Sequence, residues 1–97
     1  MTDVIAVTTD LAEQQARRIG PAAVDALKNL RAELEDNPRL GRMRGATPEG
    51  VEVYLTHIEP RPDMPPLTVT YVYTPDPPPP TVAISVVTPH DTPEDDT

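Results

Sequence analysis

The chain has 97 residues, a formal net charge of −8 and no cysteine. That length allows one domain around one modest core, and the missing thiols exclude a disulfide framework or a thiolate metal site. Three tyrosines are the whole aromatic complement, so Val, Leu, Ile and Ala have to fill the interior. Two isolated histidines, His57 and His90, have no Cys-x-x-Cys partner, so no metal and no cofactor is expected.

No apolar run approaches the roughly 20 residues of a membrane span. The amino terminus reads Met1-Thr2-Asp3, acidic where a secretory signal is basic. A cytoplasmic protein without a membrane partner is the expectation.

The charge is unevenly spread. Residues 17–44 hold seven of the eight cations (Arg17, Arg18, Lys28, Arg31, Arg39, Arg42, Arg44) against four acids, while six acids and no cation follow Arg61. Nucleic-acid binding relies on several cationic contacts that release counterions, so a nucleic-acid role would have to use the 17–44 patch.

Val4 to Thr8 is a short β-rich run that predicts the first strand. Asp10, followed three residues later by Glu13, resembles a capping box and starts a helix over about 10–19, with Leu11, Ala12, Ala16 and Ile19 on one face. Gly20-Pro21 ends it and opens a second helix, since proline is tolerated at the first helical position. There Ala23, Leu27, Leu30 and Leu34 repeat at helical spacing, widened by Val24, until Asn37-Pro38 stops the pattern after Asp36.

Gly41, Gly45 and Gly50, with Thr47-Pro48 between them, predict a flexible connection. Alternation begins at Val51, with Val51, Val53 and Leu55 on the apolar side and Glu52, Tyr54 and Thr56 on the other. After a turn containing Pro60, Pro62, Pro65 and Pro66, Leu67, Val69, Tyr71 and Tyr73 alternate with Thr68, Thr70 and Val72. Pro77 to Pro80 make a stiff loop rather than a tight hairpin, and Val82, Ile84 and Val86 give the last strand. Proline, threonine and acids then dominate. The reading is a single α+β domain over 1–89, β-α-α-β-β-β, with a helical hairpin on a small, mainly antiparallel sheet, and an acidic disordered tail over 90–97.

This order, together with Asn37-Pro38-Arg39-Leu40-Gly41 at the end of the second helix and Tyr71-Val72-Tyr73 in the penultimate strand, resembles the RelE/ParE toxin superfamily of bacterial type II toxin–antitoxin systems. The resemblance covers about residues 4–90. It implies a toxin that inhibits growth through ribosome-dependent mRNA cleavage or by binding a target such as gyrase, with a cognate antitoxin as partner. As an enzyme it would be a metal-independent endoribonuclease. The sequence departs from the family where an arginine is usual in the penultimate strand: Thr70, or Thr68 in a register shifted by two, stands there. Cations hold the scissile phosphate in the RNase members, so this departure leaves the target-binding mechanism in better standing.

His57 and His90 are the candidate catalytic groups, because an imidazole titrates near neutrality and can act as a general base. Arg39, Arg42, Arg44 and Arg61 are candidates for holding a phosphate or an acidic partner. A helix C-terminus favours a cation for its own sake and accounts for Arg39. Tyr54, opposite the Val51–Leu55 side, is the ring expected to be exposed for stacking. The alternative function is a non-catalytic interaction module on the same scaffold, holding a basic partner through an acidic surface.

Overall fold

A computed structural model describes residues 3–89. In chain order it has β1 (Ile5–Thr8), α1 (Asp10–Ile19), α2 (Pro21–Asp36), β2 (Arg42–Ala46), β3 (Glu52–Ile58), β4 (Leu67–Thr74) and β5 (Thr81–Pro89). The five strands form one sheet in the order β1-β5-β4-β3-β2, with β1 parallel to β5 and every other pair antiparallel. The helical hairpin lies on one face of this sheet, α1 against β5 and α2 against β1. The expected α+β architecture is present, with one strand more than the sequence suggests.

The added strand is β2, inside the stretch read as a flexible glycine connection. Arg42 pairs with Leu55 and Met43 with Tyr54; the register then shifts, and Gly45 pairs with Val53 and Ala46 with Glu52. Nothing in Arg-Met-Arg-Gly-Ala favours a strand, and all five residues are exposed. The neighbouring β3 supplies the pairing, which outweighs local propensity, and the bulge admits the extra residue Arg44.

Thr9, rather than Asp10, is the N-cap of α1: its hydroxyl accepts from the Ala12 amide at 3.3 Å. Gly20 ends α1 and precedes α2 in one residue, at φ 142°, a conformation that side-chain-bearing residues rarely adopt. In α2, Ala23, Leu27, Leu30 and Leu34 are buried as their spacing predicts, joined by Ala26. Leu11 and Val24, expected in the apolar stripes, are 54% and 40% exposed. The short side chains of Ala12 and Ala16 carry the buried face of α1, and Leu11 projects beyond it.

On β4, Leu67, Val69, Tyr71 and Tyr73 are buried while Thr68, Thr70, Val72 and Thr74 face the uncovered side. The register fixes the faces of β3. Tyr54 lies opposite Tyr71 and Thr56 opposite Val69, so the Glu52–Tyr54–Thr56 side points toward the helical layer, and Val53, Leu55 and His57 share the uncovered face with Val72, Thr70 and Thr68. The sequence reading had this strand inverted: Tyr54 is not an exposed ring but is 3% exposed, in the core. Its pairing with the buried β4 tyrosine, not its own alternation, decides its side.

A similar correction applies to β5. Thr70 pairs with Val86 but Tyr71 with Ile84, so Ser85 is an extra residue in the ladder. Val82, Ile84 and then Val87 enter the core, and Val86 does not. The tail over 90–97 lies outside the described residues.

Candidate functional site

The Asn37–Gly41 phrase links the end of α2 to β2, and two of its residues, Arg39 and Gly41, are tied to the sheet. The Arg39 guanidinium makes a two-pronged contact with Glu52, Nε to Oε1 at 3.0 Å and NH2 to Oε2 at 3.1 Å. It also lies over the Tyr73 ring, 5.0 Å from the centroid. The Tyr54 hydroxyl donates to the same Glu52 carboxylate at 2.8 Å. Hydrogen bonds from Arg39 first, and from Tyr54 second, hold the Glu52 carboxyl below its ordinary range. The bond to Glu52 raises the Arg39 pKa still further. Burial, then the bond to the anionic Glu52, pushes Tyr54 up.

Beneath this pair the Tyr54 ring stacks on Tyr71, centroids 5.3 Å apart and planes within 8° of parallel. The Tyr71 hydroxyl accepts from the Gly41 backbone N–H at 2.9 Å, and burial raises its pKa. Gly41 passes so close to β3 that a Cβ there would sit 2.6 Å from the Leu55 carbonyl oxygen. Only glycine fits. The phrase that carries the family resemblance therefore does a structural job: it fastens the end of α2 onto β3 and β4 through Arg39 and Gly41.

Two of the other candidates, His57 and Arg61, lie at or just beyond the opposite end of β3. A groove of about 460 Å³ opens between α2 and the end of β3. Ala26, Leu30, Leu40 and Ile58 provide its apolar surface; Asn29, Glu33, Glu59 and Arg61 stand among its polar lining, and His57 also reaches it. A second hollow of about 270 Å³ is lined by Leu40, Gly41, Arg42, Leu55, Thr56 and His57. His57, Thr56 and Leu40 thus border both spaces.

The structure therefore brings His57 together with Arg61 in one groove and with Arg42 in the other. Arg42 and Arg44 are exposed on β2. Arg61 sits in the turn after β3, its backbone bridged to Met64 in both directions at 3.0 Å. Arg39 and Tyr54 belong to the fastening cluster instead, and Arg39 has its charge matched by Glu52. His90 lies outside the described residues.

Sequence reasoning missed Asn29, Glu33 and Glu59 as site residues. Their signal was faint: Ala26, Leu30 and Glu33 fall on one side of α2 at spacings of four and three, but a glutamate at the margin of an apolar stripe reads as a solvated helix face. Chemically, the groove sets a small apolar floor among two carboxylates, an amide, a guanidinium and an imidazole. Among the described residues no group of three or more His, Cys, Asp or Glu side chains could hold a metal ion. No described helix is long and apolar enough to cross a membrane.

Comparison with known proteins finds no matching family model, no matching curated protein and no matching solved structure.

Proposed function

We propose that this chain is a RelE/ParE-like toxin component that acts by holding a macromolecular target rather than by cleaving RNA. The observation that carries this reading is the use made of Arg39. The arginine of the family-like phrase is engaged by Glu52 and Tyr73, and β4 presents Thr68 and Thr70 to the uncovered face where a phosphate-binding arginine would serve. The remaining exposed cations of this region, Arg42 and Arg44, both lie on the edge strand β2, a placement suited to contacting a partner surface. A cognate antitoxin would cover the same region.

The second reading is a harmless interaction module for a basic partner. It is favoured by the carboxylates Glu33 and Glu59 at the groove.

Tightly induced expression in a bacterial host separates these readings. Growth arrest that survives His57→Ala/His90→Ala but disappears in Arg42→Ala/Arg44→Ala is the expected result. Arrest lost only with the histidine pair would replace target binding by nuclease action. Normal growth with soluble protein present would leave the interaction module standing.

A further inference from the structure

We infer that the groove between α2 and the end of β3 is a docking site for an extended basic protein segment that presents one aliphatic side chain next to a lysine or arginine. This rests on reading the chain as a binding protein, whether toxin or harmless module, and it names the chemistry of one partner.

The first argument is shape. At about 460 Å³ the groove lies within the ~300–1,000 Å³ range typical of ligand sites. One wall is a strand: β3 runs through Thr56, His57 and Ile58 beyond its last pairing with β2, which is Leu55 with Arg42. The other wall is the Ala26–Leu30–Glu33 side of α2. A segment lying along β3 is extended, and its side chains alternate between floor and rim.

The second argument is the match of chemistry to that alternation. Leu40 and the half-buried Ile58 supply the open part of a small apolar floor for an aliphatic side chain, above the buried Ala26 and Leu30. Leu40 is 43% exposed, a large apolar residue with no cover. Glu33 and Glu59 flank the floor from the helix side and the strand side, and neither has an ion-pair partner among the described residues. Arg61 is the one cation of the lining, so the rim keeps a negative excess, backed by Glu35 and Asp36 further along α2 and by the chain's net charge of −8. A cationic segment is drawn to such a rim and an anionic one repelled.

The test titrates the capped peptide acetyl-Thr-Lys-Leu-Arg-Thr-amide into the isotopically labelled protein and follows amide shifts. Shifts confined to the Leu30–Glu33 and Thr56–Arg61 segments are expected. Affinity should fall about tenfold in Glu33→Gln/Glu59→Gln, and equally when serine replaces the peptide's leucine. Both glutamates are exposed, so an unchanged melting temperature certifies that the double variant still folds.

Shifts scattered over the surface, or binding indifferent to the double variant, would overturn the inference. So would preference for the same peptide with glutamate in place of its basic residues, or for inorganic phosphate; either would make the groove an anion site built on Arg61 and His57. The outcome is independent of growth: a chain that arrests cells through Arg42 and Arg44 yet ignores the peptide defeats this inference alone. A harmless chain that binds the peptide defeats only the toxin reading.

Discussion

Two strands of this sheet outrun their outer neighbours, and the protein treats them differently. On one side β1 pairs with β5 only as far as Ile84. Beyond it α1 finishes the edge: the Thr9 N–H donates to the Ile84 carbonyl at 3.0 Å, the Thr9 hydroxyl to the Ser85 carbonyl at 3.3 Å, and the Val87 N–H to the Gln15 side-chain oxygen at 2.8 Å. On the other side the pairing of β3 with β2 stops at Leu55, and β3 continues beside a groove across which α2 places Asn29 and Glu33. An edge closed by side chains is sealed against further strands; an edge bordered by a cleft is where a sheet accepts a partner. The difference comes from what each helix offers the edge: Thr9 and Gln15 at α1 bond to β5, whereas Asn29 and Glu33 on α2 line a groove.

Four changes break or sharpen that contrast. The largest effect is expected from Gly41→Val, which forces a side chain into the Leu55 carbonyl. Overpacking of this kind costs about 2–3 kcal/mol, measurable as a lowered urea midpoint. A variant as stable as the parent would mean that the chain is not pressed against β3 there.

Gln15→Leu opens the closed edge by leaving the Val87 amide without its acceptor, at a cost of about 2 kcal/mol. Hydrogen exchange at Val87 should accelerate while the β3 amides keep their protection. Equal acceleration in both strands would show that the two edges are not independent.

Tyr71→Phe removes the hydroxyl that accepts from Gly41 and should cost about 1 kcal/mol in chemical denaturation. The smallest effect concerns acid. Because the folded Glu52 carboxyl titrates below its ordinary range, the unfolded chain takes up its proton at higher pH than the folded one. The stabilisation from Arg39 is therefore complete above the ordinary carboxylate pKa and is lost as pH falls through the lowered value. Arg39 is 55% exposed as a side chain, so solvent screening keeps the effect below about 1 kcal/mol. Glu52→Gln should flatten the acid side of the stability profile by that amount; an unaltered profile would mean the pair contributes nothing.

The parts of the fold that are legible in sequence are those where local pattern and packing agree. The Ala23–Leu27–Leu30–Leu34 repeat placed the buried face of α2, and the Leu67–Tyr73 alternation placed that of β4. Elsewhere pairing with a neighbour decided the outcome. β2 carries no strand-favouring residue and is held by β3. On β3 both sides carry residues able to be buried, so only its register with Tyr71 settles that Tyr54 goes inward and Leu55 outward. The bulge at Ser85 is invisible in a run of small and β-branched residues. His57 and Arg61, which line the groove, were legible as candidates because histidine and a lone arginine stand out in an acidic half. Glu33 and Glu59 were not, since the groove joins elements far apart in the chain and acids on this surface are ordinary.

The parallel pairing of β1 with β5 joins residues separated by 76 positions, Ile5 beside Thr81 and Thr8 beside Ile84. It also sets a schedule for synthesis on the ribosome. The first strand and both helices emerge long before the strand that receives β1 and supports α1. Closing such distant pairs is slow, and apolar surface stays exposed meanwhile. A nascent chain halted before Thr81 holds a helical hairpin with no β5 to receive it, so emergence of the last strand is the event that completes the core.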